Sequence, residues 1–116
     1  MNAKTISALF VLSLLCVSFA STVQSDDVKI DAIPVAKQIY MITGKGGNIG
    51  VFIGQDGTFL IDDQFAPLTD KIVATIKSVG GDFPKFVINT HYHGDHTGGN
   101  ENLGKGGSLV FSHHNV

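Results

Sequence analysis

The chain has 116 residues, which is room for one domain of ordinary size. Its formal net charge is −2. All of its cationic residues are lysines, so the sequence offers neither a basic surface for nucleic acid nor an arginine clamp for phosphate. Its 14 glycines lie mostly between apolar segments, which is typical of a loop-rich domain that mixes helices and strands.

Residues 1–20 have the pattern of a secretory signal peptide. Lys4 supplies a positive charge, residues 6–17 form a short apolar run, and Ser18 to Ala20 place small residues near a cleavage point. Cleavage after Ser25, an uncleaved anchor and a buried first helix are the alternatives. We expect an exported protein, periplasmic or secreted, without stable membrane insertion after cleavage. Because Cys16 lies inside the segment, the mature chain has no disulfide.

The next part of the chain predicts strands and turns. Residues 21–27 are polar and predict a flexible mature N-terminus, and residues 28–116 predict the folded domain. Apolar segments predict four strands, at residues 28–30, 39–43, 49–53 and 58–62. Pro34 is expected to limit the first strand, and Asp56-Gly57 predicts a tight turn before the fourth. The glycine-rich residues 44–48 predict a hairpin loop, because no P-loop Lys-Ser/Thr follows them.

A helix and further strands are predicted after Pro67. Residues 67–79 predict a helix, because four apolar residues form one stripe at helical spacing: Ile72, Val73, Ile76 and Val79. Residues 86–90 predict a buried strand, so the strand–helix–strand order implies a parallel pair. Residues 100–103 predict a short helix and residues 108–112 a last strand.

The segment from His91 to His96 carries the clearest chemistry. His91, His93, Asp95 and His96 supply imidazole and carboxylate, which are ligands that zinc accepts, usually about four per site. At the end of a strand, residues i and i+2 point the same way, so His91 and His93 are expected to face one ion. Gly94 permits a sharp turn, after which Asp95 and His96 are expected to face a second ion. Capping of a following helix is the alternative role of Asp95.

The six residues from His91 to His96 resemble the HxHxDH signature of the metallo-β-lactamase superfamily. The flanking residues 89–90 and 97–100 resemble the lactamase-like hydrolases of that superfamily. The resemblance implies that His91 and His93 bind one zinc, that Asp95 and His96 bind a second, and that Asp95 is a catalytic residue that orients the attacking water or hydroxide. A complete domain would then hold two zinc ions, with iron or manganese as alternatives.

The resemblance also assigns supporting residues. Asp62 ends the fourth predicted strand, where related chains carry an aspartate near the metal ligands, so Asp62 and Thr90 are expected to support the ligands or anchor their loop. A solvated strand end is the alternative for Asp62. Related chains have a small residue and a glycine after that aspartate, whereas this chain has Asp63-Gln64. His113 and His114 resemble a family stretch that does not bind metal, and metal recruitment by them is the alternative.

The fold that the resemblance implies is a four-layer αββα sandwich of two similar halves. Residues 28–116 correspond to the N-terminal half, an α/β (α+β) unit with a mixed sheet and helices on one face. We therefore expect a truncated domain whose remaining metal ligands lie beyond Val116. The uncovered sheet face is expected to be apolar and to favour self-association.

The resemblance thus implies a metal-dependent hydrolase in which metal-bound hydroxide attacks a small-molecule ester, lactam, lactone or thioester. Three alternatives remain at this point. One is an iron-dependent enzyme that oxidises persulfides, or an enzyme that cleaves glutathione thioesters as glyoxalase II does. Another is a metal-binding fragment without activity, and the third is a structural periplasmic module with incidental histidines.

Overall fold

The computed structural model describes residues 27–116, in which six strands form one mixed sheet in chain order. The strands are β1 (Asp31–Ala36), β2 (Ile39–Thr43), β3 (Ile49–Gly54), β4 (Gly57–Ile61), β5 (Pro84–Ile88) and β6 (Leu109–Phe111). The helices are α1 (Thr69–Ser78), α2 (Gly94–Thr97) and α3 (Asn100–Lys105), and a 3-10 turn, Ala66–Leu68, precedes α1. The predicted signal peptide lies outside the described residues.

The connections determine which strands are parallel. Strands β1 to β4 are antiparallel neighbours, and β3 and β4 are joined by the two-residue turn Gln55-Asp56. Gly57 comes after this turn with a φ of 123°, a conformation that glycine adopts without the strain of a side chain. Strands β5 and β6 each follow a helical connection and pair in parallel with the strand before them. The predicted hairpin and the predicted parallel pair are both confirmed.

The hydrophobic core lies between one face of the sheet and the helices. Side chains alternate between the two faces of a strand, so every second residue of β2 to β4 reaches this core, together with Val87 of β5. The buried members are Ile42, Ile49, Val51, Leu60 and Val87 from the sheet, and Leu68, Ile72, Ile76 and Leu103 from the helical segments. Burial of one such side chain contributes roughly 1.5–3 kcal/mol. This core fixes the position of β4 and β5, whose carboxyl ends carry the polar residues of the candidate site.

The opposite face of the sheet, which we call the open face, is apolar and accessible. Phe52, Phe59, Phe86 and Phe111 form a row across four strands, with ring centroids 6.0, 4.7 and 6.0 Å apart. Phe52 is 42% exposed and Phe111 is 50% exposed. The mixed sheet with helices on one face and an apolar face on the other agrees with the predicted fold.

Most strand boundaries differ from the sequence predictions by one or two residues, and the start of the first strand differs by three. The first strand begins at Asp31 rather than at residue 28, and it runs through Pro34, which pairs with Tyr40. Proline is tolerated there because β1 is an edge strand, whose outer side needs no N–H donor, and the register shifts directly afterwards. The strand predicted at residues 86–90 is β5, which ends at Ile88.

Helix bounds differ less. Residues 67 and 68 belong to the 3-10 turn, and α1 itself runs from Thr69 to Ser78. Gly80 follows it with a φ of 93°. No helix within residues 27–116 is long and apolar enough to cross a membrane.

Candidate metal centre

The histidine segment lies at the carboxyl end of β5, next to the end of β4. The sequence pattern predicted that strand alternation would point His91 and His93 the same way. In the structure β5 ends at Ile88, so both histidines lie in a loop and strand alternation does not determine their directions. The loop then turns into α2, where the N–H groups of His96 and Thr97 both donate to the carbonyl of His93, at 2.9 and 3.1 Å. This turn brings Asp95 and His96 back toward β4.

Asp62 is the buried carboxylate at the centre of this region. It follows β4, it is 4% exposed, and its backbone N–H donates to the carbonyl of Ile88 at 2.9 Å. Its Oδ1 accepts the backbone N–H of Thr90 at 2.8 Å, and its Oδ2 accepts the Thr90 hydroxyl at 2.7 Å. One carboxylate therefore joins the ends of β4 and β5.

The same carboxylate determines the tautomer of His96. Oδ2 of Asp62 lies 2.7 Å from Nδ1 of His96. An ionised carboxylate only accepts hydrogen bonds, so the proton must be on Nδ1 of the imidazole. In the neutral ring this leaves a lone pair on Nε2, the atom free to bind a metal ion.

Thr90 determines the tautomer of His91 in the same way. Its hydroxyl has one proton, which it donates to Asp62, and its oxygen lies 2.9 Å from Nδ1 of His91. Nδ1 of His91 must therefore be the donor in that contact, and Nε2 again holds the lone pair. Asp62 thus orients two imidazoles, one directly and one through Thr90.

Donor atoms of three residues converge. One ligand atom each from Asp62, His91 and His96 lies within 4.8 Å of the other two. The rings of His91 and His96 are 4.0 Å apart between centroids. Two neutral imidazoles beside carboxylates are a donor set that suits zinc and other first-row divalent ions. Because both oxygens of Asp62 already accept hydrogen bonds, its geometry favours orienting the histidines over binding the ion.

Asp95 supplies a second carboxylate beside His96. Its Oδ2 lies 3.5 Å from Nε2 of His96 and accepts the backbone N–H of Gly47 at 3.0 Å. Two ligand atoms on one tetrahedral zinc are about 3.3 Å apart when each bond is about 2.0 Å. The separation of Asp95 and His96 therefore fits joint binding of one ion.

Comparisons with known proteins agree with this geometry. The family model of the metallo-beta-lactamase superfamily matches residues 42–113. This chain belongs to the metallo-beta-lactamase superfamily. The match includes all four predicted ligands as well as Asp62 and Thr90. A comparison with curated proteins gives no match.

Solved metallo-beta-lactamases share the fold. A subclass B3 metallo-beta-lactamase of Bradyrhizobium japonicum is 28% identical with a TM-score of 0.62, over 68% of this chain and 31% of that one. A metallo-beta-lactamase of Cronobacter sakazakii is 20% identical with a TM-score of 0.66, over 72% of this chain and 33% of that one. The metallo-beta-lactamase of Legionella gormanii is 22% identical with a TM-score of 0.63, over 68% of this chain and 31% of that one.

The chain thus spans 31–33% of the length of these three solved relatives. The two relatives below 25% identity show the fold alone. The mixed sheet with its helices on one face corresponds to part of the metallo-beta-lactamase fold.

His93 lies apart from the converging donors. It is exposed at the start of α2, and its ring centroid is 4.9 Å from that of His91. Tyr92 is 69% exposed and packs its ring edge against His93. The structure therefore brings His91, Asp95 and His96 together with Asp62, and places His93 beside this group.

His113 and His114 form a separate pair near the last residue of the chain. Both are exposed, their ring centroids are 4.0 Å apart, and Nδ1 of His113 accepts the N–H of Asn115 at 3.3 Å. Neither belongs to the group of converging ligand atoms found among residues 27–116.

Sequence reasoning missed Asn89, which directly follows β5 and holds the histidine segment in place. Asn89 is buried, and its Nδ2 donates to the carbonyl of His96 at 3.1 Å. Its Oδ1 accepts Nδ2 of Asn100 at 2.8 Å. A polar residue at the end of an apolar strand was the available signal, because a buried amide needs partners.

Sequence reasoning also missed the part that Asp63 has in the site. Asp63 is buried, its Oδ1 accepts the N–H of Gly99 at 2.9 Å, and its own N–H donates to the carbonyl of His96 at 3.0 Å. Burial raises the pKa of the Asp63 carboxyl to about 7; the Gly99 N–H opposes this rise, and the nearby charge of Asp62 adds to it. A Cβ at Gly99 would lie 2.9 Å from the carbonyl oxygen of Asp63, so this close approach requires glycine.

Proposed function

We propose that this chain is the metal-binding part of an exported metal-dependent hydrolase. The observation that carries the proposal is the convergence of ligand atoms from His91, His96 and Asp62. His96 donates its Nδ1 proton to Asp62, and His91 donates its Nδ1 proton to the hydroxyl of Thr90, which in turn donates to Asp62. That arrangement leaves a lone pair on Nε2 of each histidine, and Nε2 of His96 lies 3.5 Å from the carboxylate of Asp95. Membership of the superfamily supports the same conclusion.

The proposed cofactor is a pair of zinc ions. His91 and His93 would hold one ion, and Asp95 and His96 would hold the other. The donor chemistry fits zinc, since imidazole nitrogen and carboxylate oxygen are among its common ligands. A bound divalent cation of this kind lowers the pKa of coordinated water and polarises a carbonyl or ester group.

The residues of the chain then have distinct roles. Asp62 fixes the Nδ1 tautomer of His96, and Thr90 fixes that of His91. Asp95 lies next to His96 with one oxygen held by Gly47, so its other oxygen is available to accept a hydrogen bond from an attacking water. The site opens to solvent at His93, which gives a small substrate a route to it.

The substrate class that we propose is a small molecule with an electrophilic carbonyl: an ester, lactam, lactone or thioester. The 28% identical relative from Bradyrhizobium japonicum is a metallo-beta-lactamase, which supports the lactam among these choices. We also propose that residues 1–20 direct export to the periplasm or the medium. Residues 28–116 would form the N-terminal half of the catalytic domain, as the family resemblance implies, and the chain spans 31% of the length of a solved relative.

Turnover assays with this chain test the proposal. The mature chain is incubated with zinc and with chromogenic β-lactam, lactone and thioester substrates, next to the His93→Ala variant. Hydrolysis of any one of them that needs zinc and disappears in His93→Ala supports the hydrolase. The matched control is His113→Ala, which should hydrolyse the substrate as the native chain does.

A second candidate function is metal binding without turnover. It is favoured by the number of donors, because the predicted ligands within residues 27–116 supply two to each ion, whereas a catalytic zinc takes three protein ligands and a water. Zinc binding that His91→Ala abolishes, together with no hydrolysis of the three substrates, favours this candidate. Zinc-dependent hydrolysis excludes it.

A further inference from the structure

The segment after Asp62 contains a side chain that the proposed roles leave unexplained. Gln64 is completely buried, with 0% exposure. Its backbone has a φ of 57°, in the left-handed region that costs a residue with a side chain roughly 1 kcal/mol or more. Its Oε1 is buried and has no hydrogen-bond partner in the described part of the chain. Three local costs at one residue indicate that its side chain serves a purpose.

The other end of that amide contacts the loop between β2 and β3. Nε2 of Gln64 donates to the carbonyl of Gly47 at 2.5 Å. A Cβ on Gly44 would lie 2.6 Å from Oε1 of Gln64. The amide therefore touches the loop Gly44 to Asn48, which we call the glycine loop, at Gly44 and at Gly47.

The glycine loop in turn packs against the metal ligands. The N–H of Gly47 donates to Oδ2 of Asp95 at 3.0 Å. A Cβ on Gly47 would overlap the ring of His96, and one on Gly46 would lie 2.7 Å from Cβ of Asp95. The loop can approach Asp95 and His96 this closely only because these positions are glycine.

A single peptide position thus connects Gln64 with Asp95. The carbonyl of Gly47 is held by Gln64, and the N–H of Gly47 holds Asp95. A glycine-rich segment has many backbone conformations available, so the tether restricts a loop that would otherwise sample several of them. Fixing Gly47 fixes which oxygen of Asp95 is occupied by a hydrogen bond and where the carboxylate stands relative to Nε2 of His96.

We propose that Gln64 is a positioning residue of the metal centre, which acts through Gly47 to hold Asp95 in the conformation that binds metal together with His96. This inference rests on the proposed function, because it takes Asp95 and His96 as ligands. It assigns a role to Gln64, at the position where the family resemblance implies glycine.

The test is Gln64→Gly in the full chain. Glycine adopts a φ of 57° without strain, so the variant removes the tether and the buried side chain without forcing the backbone to change. Zinc affinity is measured by competition with a chromophoric chelator, and exchange of the Gly47 amide proton is measured by NMR. We expect zinc affinity to fall about three- to tenfold and Gly47 exchange to accelerate, as for the loss of a supporting contact to a ligand.

Three further comparisons make the test specific. Gln64→Asn keeps an amide and tolerates the left-handed conformation, but its side chain is one methylene shorter, so it should also lose zinc affinity. Gln55→Gly is the matched control in the exposed turn between β3 and β4, and it should bind zinc as the native chain does. In an Asp95→Ala background, Gln64→Gly should have no further effect on zinc affinity.

The outcomes separate this inference from the function on which it rests. If the native chain binds zinc and Gln64→Gly binds it equally well, Gln64 does not position Asp95, and the proposed function stands. The inference is also overturned if Gln64→Gly lowers zinc affinity by as much in the Asp95→Ala background as it does in the native chain. If native chain and Asp95→Ala bind zinc alike, Asp95 is not a ligand, and the inference is overturned together with that part of the proposed function.

Discussion

Nδ1 of His96 lies 2.7 Å from Oδ2 of Asp62, although 34 residues separate them in the chain. The contact joins the end of β4 to the turn that comes after β5, and it leaves Nε2 of His96 on the side that faces Asp95. A carboxylate on the far nitrogen of a ligating imidazole fixes the ring and raises its basicity. The most direct consequences concern the residues that hold the proton on Nδ1.

Asp62→Asn should weaken zinc binding by about 10- to 100-fold. The side-chain amide of asparagine presents a donor where Asp62 accepts both the Thr90 hydroxyl and Nδ1 of His96. His96 then shifts its proton to Nε2, the nitrogen needed for the metal. A competition titration with zinc measures the loss, and Asp56→Asn in the exposed β3–β4 turn is the control. Unchanged affinity in Asp62→Asn would show that Asp62 does not control the tautomer of His96.

Thr90→Val should behave differently from Thr90→Ser. Valine has nearly the same shape but no hydroxyl, so it breaks the connection between Asp62 and His91 and leaves Nδ1 of His91 without that partner. Serine keeps the hydroxyl. We expect zinc affinity to fall about tenfold in the valine variant and by less than about threefold in the serine variant. Equal affinity in the two variants contradicts the role assigned to the hydroxyl.

The stability of the metal-free chain should decrease as pH rises toward neutrality, because of Asp63. Its pKa is raised from 3.8 to about 7 in the folded chain, mainly by burial, so the folded state binds more protons than the unfolded state between those values. The free energy of unfolding should therefore fall by at most about 1.4 kcal/mol per pH unit across that window.

Asp63→Asn checks this assignment. Asparagine keeps an oxygen for the Gly99 N–H and has no charge to bury, so its advantage in stability over the native chain should grow from pH 4 to pH 7. Urea unfolding in the presence of a chelator measures both proteins. A difference between them that stays constant over this range would show that Asp63 does not titrate there.

The open face should make the purified chain self-associate. A row of phenylalanine rings that includes Phe52, Phe86 and Phe111 crosses four strands of this face, and exposed contiguous apolar surface favours association. Phe52→Ser combined with Phe111→Ser should shift the sedimentation profile toward monomer. Tyr92→Ser, which removes an exposed aromatic ring from the histidine segment, should leave the sedimentation profile unchanged. A native chain that sediments as one monomer at high concentration contradicts the prediction.

Much of this fold can be predicted from local sequence patterns. The alternation of apolar residues in β3 and β4 and the stripe of Ile72 and Ile76 in α1 place the core, because burial favours one face of each element. The sequence pattern predicts the start of the first strand three residues too early, because Val28 and Ile30 are as apolar as a strand requires, and because an edge strand accepts Pro34. Whether a strand accepts proline depends on whether it has a neighbour on both sides, and a local sequence pattern carries no information about neighbouring strands.

The candidate site could be predicted in its residue types but not in its geometry. The ligand types and their spacing indicate metal binding, and the positions of Asp62 and Thr90 were inferred by resemblance. The direction of His93 could not be derived, because β5 ends before the loop and strand alternation no longer applies. Gln64 and Gly47 meet across a sequence distance of 17 residues, and only the paired strands bring them together.

Zinc binding by the mature chain tests the central claim most directly, measured by competition against a chromophoric chelator. The native chain is compared with His91→Ala combined with His96→Ala, and with His113→Ala combined with His114→Ala. We predict that the native chain and the 113/114 variant bind zinc with the same affinity, and that the 91/96 variant loses at least about tenfold. Equal binding by the native chain and the 91/96 variant would contradict a metal centre at the end of β5.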